Sequence, residues 1–344
     1  MDRHTKYIPC LKTTDSELRA FRELRKSAKK ACLPIFELTR SRTTSKNPTA
    51  TVQRRLNEIA EIGLSGGFIV DLTTEESLQN AEIVDLFDAA DGYSRWLNFV
   101  DGIEIPDIIP TVQINIEGTD RQLQQQVESL FERYASVALR LPVTDQFAQQ
   151  AMSEVFEVAD ARRLLLILDC GYVTADTMIA RCESATALRD QALEMGKPQV
   201  ISAIASSFPS SVASFGDGEG VIPLFEPEID EAIRAGSADA RFMAGDFALI
   251  HPQRYPTRGG TWIPRIDFPT NDQCIYRRVR REDGGYITAA STLVETDDGF
   301  DDFECWGTEQ IRLAAAGTPP GRNPSFWISV RSNIHMERRV DQLT

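Results

Sequence analysis

Along this chain, short apolar runs alternate with longer stretches in which apolar residues recur at helical spacing. The runs are YIPCLK (7–12), CLPIFEL (32–38), GFIVDL (67–72), IIPTVQI (108–114), VALRL (137–141), LLLILD (164–169), VISAIASS (200–207) and FALI (247–250). Short runs that are apolar throughout read as strands buried on both faces, and strands alternating with helices imply a parallel sheet. Eight such units predict an α/β fold, a (β/α)8 TIM-type barrel over residues 1–252. The intervening helices carry start signals. Thr14 and Glu17 have capping-box spacing ahead of Leu18, Phe21, Leu24 and Ala28, and Thr119 precedes Leu123, Val127, Leu130 and Tyr134. Thr144 stands in the same way before Phe147, Ala151 and Val155.

The seventh unit breaks this rhythm. FPSSVASFGDGEGVIPLFEPE (208–228) is rich in Gly, Pro and Ser and reads as a long loop at the mouth of the barrel. Beyond Pro252 the alternation stops. CIYRRVRRED (274–283), GGYITAAST (284–292) and SFWISVRSNIHM (325–336) read as strands, with Gly284–Gly285 as a hairpin turn, and IRLAAAG (311–317) as a short helix. Residues 253–344 are therefore expected to form a C-terminal β-rich extension packed on the barrel.

Composition narrows the function classes. A chain of 344 residues with 42% hydrophobic and 26% charged residues is an ordinary globular protein. Its net charge is −14, and residues 252–344 hold 12 Lys/Arg against 13 Asp/Glu, so almost all the excess lies on residues 1–251. Broad, non-specific nucleic-acid binding does not fit that balance. No run reaches the roughly 18 apolar residues of a membrane span, and the start lacks a signal-peptide core. Six scattered cysteines without metal spacing point to a reduced, cytoplasmic setting.

Barrel enzymes place their chemistry at the carboxyl ends of the strands. The polar residues there are Lys12, Glu37, Asp71, Gln113, Arg140, Asp169 and Ser206 or Ser207. Glu37, Asp71 and Asp169 suit acid–base work and supply the hard oxygen ligands that Mg²⁺ prefers. Lys12 and Arg140, with Gln113 and Ser207, suit an anionic substrate. The same charges would equally form a ring of mutually satisfied ion pairs. Asp246 precedes FALI and so falls at the opposite end of that strand. His335, on a strand shared with Asn333, is a further acid–base candidate, while the arginines of RRVRR (277–281) are expected to pair with DDGFDDFE (297–304). Three histidines without HxH or HExxH, and no GxSxG, Walker or GxGxxG motif, argue against zinc hydrolases, serine hydrolases and mononucleotide or dinucleotide folds.

Taken together, YIPCLKTTDSELRAFREL, LPIFEL, SSFPS, GDF, WGTEQIRLAAAG and NIHM resemble the beta protein family of bacteriophage and bacterial genomes. The resemblance covers most of the chain and implies that Lys12, Glu37, Asp71, Ser207, Asp246 and His335 occupy positions the family keeps polar. Where the family usually has paired histidines near its end, Ile334 precedes His335 here. The family carries no reaction over to this chain. Two readings stay open. One is a phage-related or defence-associated enzyme, a hydrolase or lyase acting on a small anionic nucleotide or phosphate ester, with Glu37, Asp71, Asp169 and His335 as catalytic groups. The other is a non-catalytic component of a phage or anti-phage defence system that binds a ligand or a protein partner.

Overall fold

A computed structural model describes residues 5–45, 47–64, 66–236, 240–254, 262–297 and 299–343. The strands are β1 (Tyr7–Lys12), β2 (Ile35–Leu38), β3 (Phe68–Leu72), β4 (Ile108–Pro110), β5 (Val137–Pro142), β6 (Leu164–Tyr172), β7 (Val200–Ser206), β8 (Glu219–Pro223), β9 (Ala244–Asp246), β10 (Arg265–Pro269) and β11 (Gln273–Arg278). The helices that cover the first seven strands are α1 (Asp15–Arg22), α2 (Lys26–Ala31), α3 (Gln53–Ala60), α4 (Ala81–Leu86), α5 (Ala90–Asp101), α6 (Asp120–Arg133), α7 (Ala148–Val158) and α8 (Met178–Met195). Then come α9 (Glu226–Arg234), α10 (Gly285–Thr296), α11 (Trp306–Ala315) and α12 (Pro324–Gln342).

The architecture is mixed α/β with parallel sheets. One sheet has the order β4-β3-β2-β1-β9 and another β5-β6-β7, all parallel, while β10-β11-β8 is antiparallel. Two isolated parallel bridges lie between the parallel sheets, Thr111 with Ala138 and Ile201 with Phe242. Side chains alternate along each strand, which sorts the core into two parts. Ile8, Cys10, Ile35, Ile69, Ala138, Ile167, Val200, Ile204 and Met243, drawn from both sheets, pack into one cluster. The opposite faces, with Tyr7, Leu11, Phe36, Val70 and Leu166, pack against the helices. Burial on both faces explains why these runs carry no alternation.

Several expectations need correction. FALI is not a strand. The eighth parallel strand lies just before it, at Ala244–Asp246, so Asp246 ends a strand at its carboxyl end. The chain then turns through Ala248 (φ 49°) and Leu249 (φ 59°), with Ala248 N donating to Asp246 Oδ1 at 2.8 Å. The long loop of the seventh unit contains β8, which pairs with β11. Residues 284–292 and 325–336 are helical. Tyr286, Ala289, Ala290 and Leu293, like Trp327, Val330, Arg331 and Ile334, are buried at a 3.6-residue period that outweighs their aromatic and β-branched content. Gly284 (φ 103°) is the N-cap of α10 and not a hairpin turn. The C-terminal part therefore combines β10 and β11 with three helices and is not β-rich.

The caps divide in the same way. Thr119 and Gln122 form the full capping box of α6. Glu17 reaches past the Thr14 amide, accepting from Lys12 N at 2.5 Å and from the Thr14 hydroxyl at 3.0 Å. Thr144 caps nothing, since α7 starts at Ala148 with Phe147 as its N-cap. Among the described residues no helix is long and apolar enough to cross a membrane, and all six cysteines are free.

Candidate functional site

The parallel register sets Lys12 opposite Glu37 and Glu37 opposite Asp71 on three neighbouring strands, so their side chains stand at one level. Arg140 of β5 reaches across to them. Its Nη1 lies 2.6 Å from Glu37 Oε1 and 3.0 Å from Asp71 Oδ2, and its Nη2 lies 2.7 Å from Asp169 Oδ2. Lys12 Nζ pairs with Glu37 Oε2 at 3.0 Å and donates to the Pro252 carbonyl at 2.7 Å. Gln113 Nε2 donates to Asp71 Oδ1 at 3.3 Å. The Phe247 ring flanks both cations, 5.8 Å from Lys12 Nζ and 5.7 Å from Arg140 Cζ. The structure thus brings Lys12, Glu37, Asp71, Gln113, Arg140 and Asp169 together.

Their arrangement is that of a closed ion-pair ring. Burial by itself would raise the Glu37 carboxyl, but the charges of Lys12 and Arg140 and their hydrogen bonds hold it down at about 2. A carboxylate so acidic is a poor proton acceptor near neutral pH. Burial raises Asp71 and outweighs the pull of Arg140. The three acids converge on the Arg140 guanidinium, so the point an Mg²⁺ ion would need is filled by a fixed cation. Among the described residues, no group of three or more His, Cys, Asp or Glu is arranged to hold a metal ion.

Asp246 and His335 lie elsewhere. Tyr7 is on the face of β1 opposite to Lys12, and its hydroxyl donates to Asp246 Oδ1. His335 Nε2 stands 3.0 Å from Asp246 Oδ2, Arg339 Nε donates to the same oxygen at 3.2 Å, and Arg339 Nη2 pairs with Asp230. Burial would raise Asp246, yet attraction to His335 and Arg339 and the Tyr7 hydrogen bond keep it at about 2. Asp230 is pushed up to about 7 by burial, against the pull of Arg339. This cluster is buried and ties α12 to β1, β9 and α9. Ser207 is also engaged away from the ring. Its amide and hydroxyl donate to Glu226 at 2.7 Å and 2.9 Å.

Beside the ring, a cleft of about 670 Å³ opens at the carboxyl ends of β1, β2, β7 and β9 and against the start of α12. Of the expected site residues, Lys12 lines it. The rest of its chemistry escapes a strand-end reading. Arg40, Arg42, Arg55, Arg254, Arg265 and Arg331 line the cleft, with Asp15 and Glu17 as the acids among its described residues. Burial, more than the opposing Lys12 charge, pushes the Glu17 carboxyl up to about 7. Arg40 and Arg42 sit in the polar loop after β2, so their type was visible but not their direction. Arg331 lies inside a segment misread as a strand.

Fold and site define an α/β protein of parallel sheets whose strand ends carry an ion-pair ring beside a cationic cleft. The family model described as Beta protein matches residues 7–341, and the chain belongs to that family. It is 26% identical over 340 residues to "Protein beta" of Enterobacteria phage P4, covering 97% of this chain and 93% of that protein. Among solved structures, a chitinase from Chromobacterium violaceum aligns over 96% of this chain and 99% of its own, with 9% identity and a TM-score of 0.33, a level that carries no argument.

Proposed function

We propose that this phage-related protein binds a small phosphate-bearing anion, a nucleotide or a phosphate ester, in the cleft beside the ring. One observation carries the reading. The chain has a net charge of −14, yet seven cationic side chains and two acids line this cleft. Among the described residues no ion pair engages the guanidinium of Arg40, Arg42 or Arg254, although the Arg254 amide donates to Glu75 Oε2 at 2.8 Å and Arg40 Nε to the Ser77 carbonyl at 3.4 Å, so these three charges face whatever enters. Arginine forks suit phosphate oxygens, and the volume falls in the range of small-molecule pockets. Leu78, Ile250 and Ile328 add an apolar wall for the remainder of such a ligand.

The ring then acts as a rigid side wall. Arg140 and Gln113 are spent on the acids and Ser207 on Glu226, which leaves Lys12 as the shared member of ring and cleft. This reading treats the two parallel sheets as one closed (β/α)8 ring, in which the cleft sits over neighbouring strands. Supporting it are Val112 N donating to the Ala138 carbonyl at 2.8 Å, Met243 N donating to the Ile201 carbonyl at 3.0 Å, and Gly245, where a Cβ would come within 2.6 Å of the Ala203 carbonyl.

The test is a thermal-shift and calorimetric comparison of nucleoside phosphates and sugar phosphates with their unphosphorylated parents, at low salt. Phosphate-bearing compounds are expected to raise Tm and their parents are not. Substituting Arg42→Gln together with Arg254→Gln should weaken binding. Equal shifts for phosphorylated and neutral compounds, or no shift with any, would overturn the reading.

A further inference from the structure

Resting on that reading, we propose that the cleft seats a terminal phosphomonoester at a recess made by the buried Arg331 and the half-buried Arg265 against Phe208. All three residues line the cleft. The two guanidiniums share a single carboxylate. Arg331 Nη1 lies 2.7 Å from Asp267 Oδ2, and Arg265 Nε lies 2.7 Å from Asp267 Oδ1. Arg331 is 3% exposed, and its Nε, a donor with no access to water, has no hydrogen-bond partner. Its guanidinium lies 3.7 Å from the centre of the Phe208 ring, with that of Arg265 at 5.5 Å.

Two guanidiniums and one carboxylate leave a surplus positive charge, which a mobile anion would balance. The close Phe208 ring restricts the Arg331 guanidinium, which reduces what is lost on binding. Burial pushes Arg331 below the usual arginine range in spite of Asp267, as expected where a cation is short of negative partners. The rim cations Arg42 and Arg254 are exposed and would attract an anion without setting its geometry.

A monoester phosphate carries close to two negative charges near neutral pH and three acceptor oxygens. A diester carries one charge and fewer free oxygens. The seat should therefore select the monoester, whatever the rest of the ligand is.

The experiment uses the full chain with inorganic phosphate, methyl phosphate and dimethyl phosphate as probes, read by calorimetry and by Tm. Methyl phosphate should bind about tenfold or more tightly than dimethyl phosphate, and Arg331→Gln should remove about tenfold of that affinity. Because Arg331→Gln could unfold the chain, Asp267→Asn provides the second arm. Removing the internal carboxylate leaves two unpaired guanidiniums, so Asp267→Asn should lose stability and recover it with phosphate to a greater extent than the wild type. If Asp267→Asn gains no more from phosphate than the wild type, the pair is only a structural staple and the seat is overturned. If anions bind but only Arg42→Gln and Arg254→Gln weaken them, the seat also falls and the cleft reading survives. If no phosphorylated compound binds at all, the cleft reading itself falls first.

Discussion

The ion-pair ring and the cleft beside it are both built from charged residues at strand ends, yet they differ in balance. In the ring, Lys12 and Arg140 meet Glu37, Asp71 and Asp169, and each charge has an opposite partner within 3.0 Å. In the cleft, no ion pair among the described residues engages the guanidinium of Arg40, Arg42 or Arg254, and Arg331 has a donor left over. Position at the mouth of the strands is shared by both regions. What separates a scaffold from a binding surface is whether the charges are already spent. The sharpest way to break this comparison is Arg140→Ala, which would leave two buried carboxylates and the partly buried Asp169 facing one another. Removing one partner of a buried network costs about 3–5 kcal/mol. Urea unfolding should show a loss of that order, and a loss below about 1 kcal/mol would mean that the ring is not a scaffold.

Two glutamates near Lys12 sharpen the contrast through pH. Glu37 is held at about 2 against an ordinary 4.5, so the stability it contributes is present above about 4.5 and is lost as pH falls toward 2. The shift corresponds to about 3 kcal/mol, and Glu37→Gln should flatten the acid side of the stability profile. Glu17 has the opposite sign. Its carboxyl stands at about 7 against 4.5, so its contribution is complete below about 4.5 and is lost as pH rises through 7. Glu17→Gln, which keeps an acceptor but cannot ionise, should become relatively more stable at pH 8 than at pH 5, by up to about 3 kcal/mol. Denaturant curves at the two pH values decide it. A Glu17→Gln difference that does not change with pH would remove Glu17 from the list of strained groups.

How much of this could be seen in the residues follows from the same physics. Lys12, Glu37 and Asp71 are legible because each follows an unbroken apolar run at the parity of the inner face, and Arg140 and Asp169 obey the same rule. Their mutual neutralisation is not legible, because it depends on a side chain from β5 crossing to β2 and β3. The eighth strand is misplaced because FALI is more apolar than AGD, whereas the small Gly245 is what lets β9 lie close to β7. The cleft is harder still. Arg40, Arg42 and Arg254 stand in loops without periodicity, and Arg331 stands in a helix whose aromatic and β-branched residues imitate a strand. His335 and Asp246 stand out singly in the sequence but not as partners, because only the helical folding of α12 brings them together, behind β1 and on the other side of the sheet from the ring.

The smallest expected effect tests the other half of the comparison. If the rim cations are unspent, removing them should cost the fold almost nothing. Arg42→Gln and Arg254→Gln should each change unfolding stability by no more than about 0.5 kcal/mol, as exposed positions do. Their effect on ligand affinity should instead be several-fold at low ionic strength and shrink as salt is added, because exposed charges act over a Debye length of about 10 Å at 0.1 M. The contribution of Arg331, 3% exposed, should fall less steeply with salt, because a charge shielded from solvent is screened less. A rim substitution that destabilised the fold by about 2 kcal/mol would show that these arginines already have partners. The cleft would then be a second ring, as closed as the first.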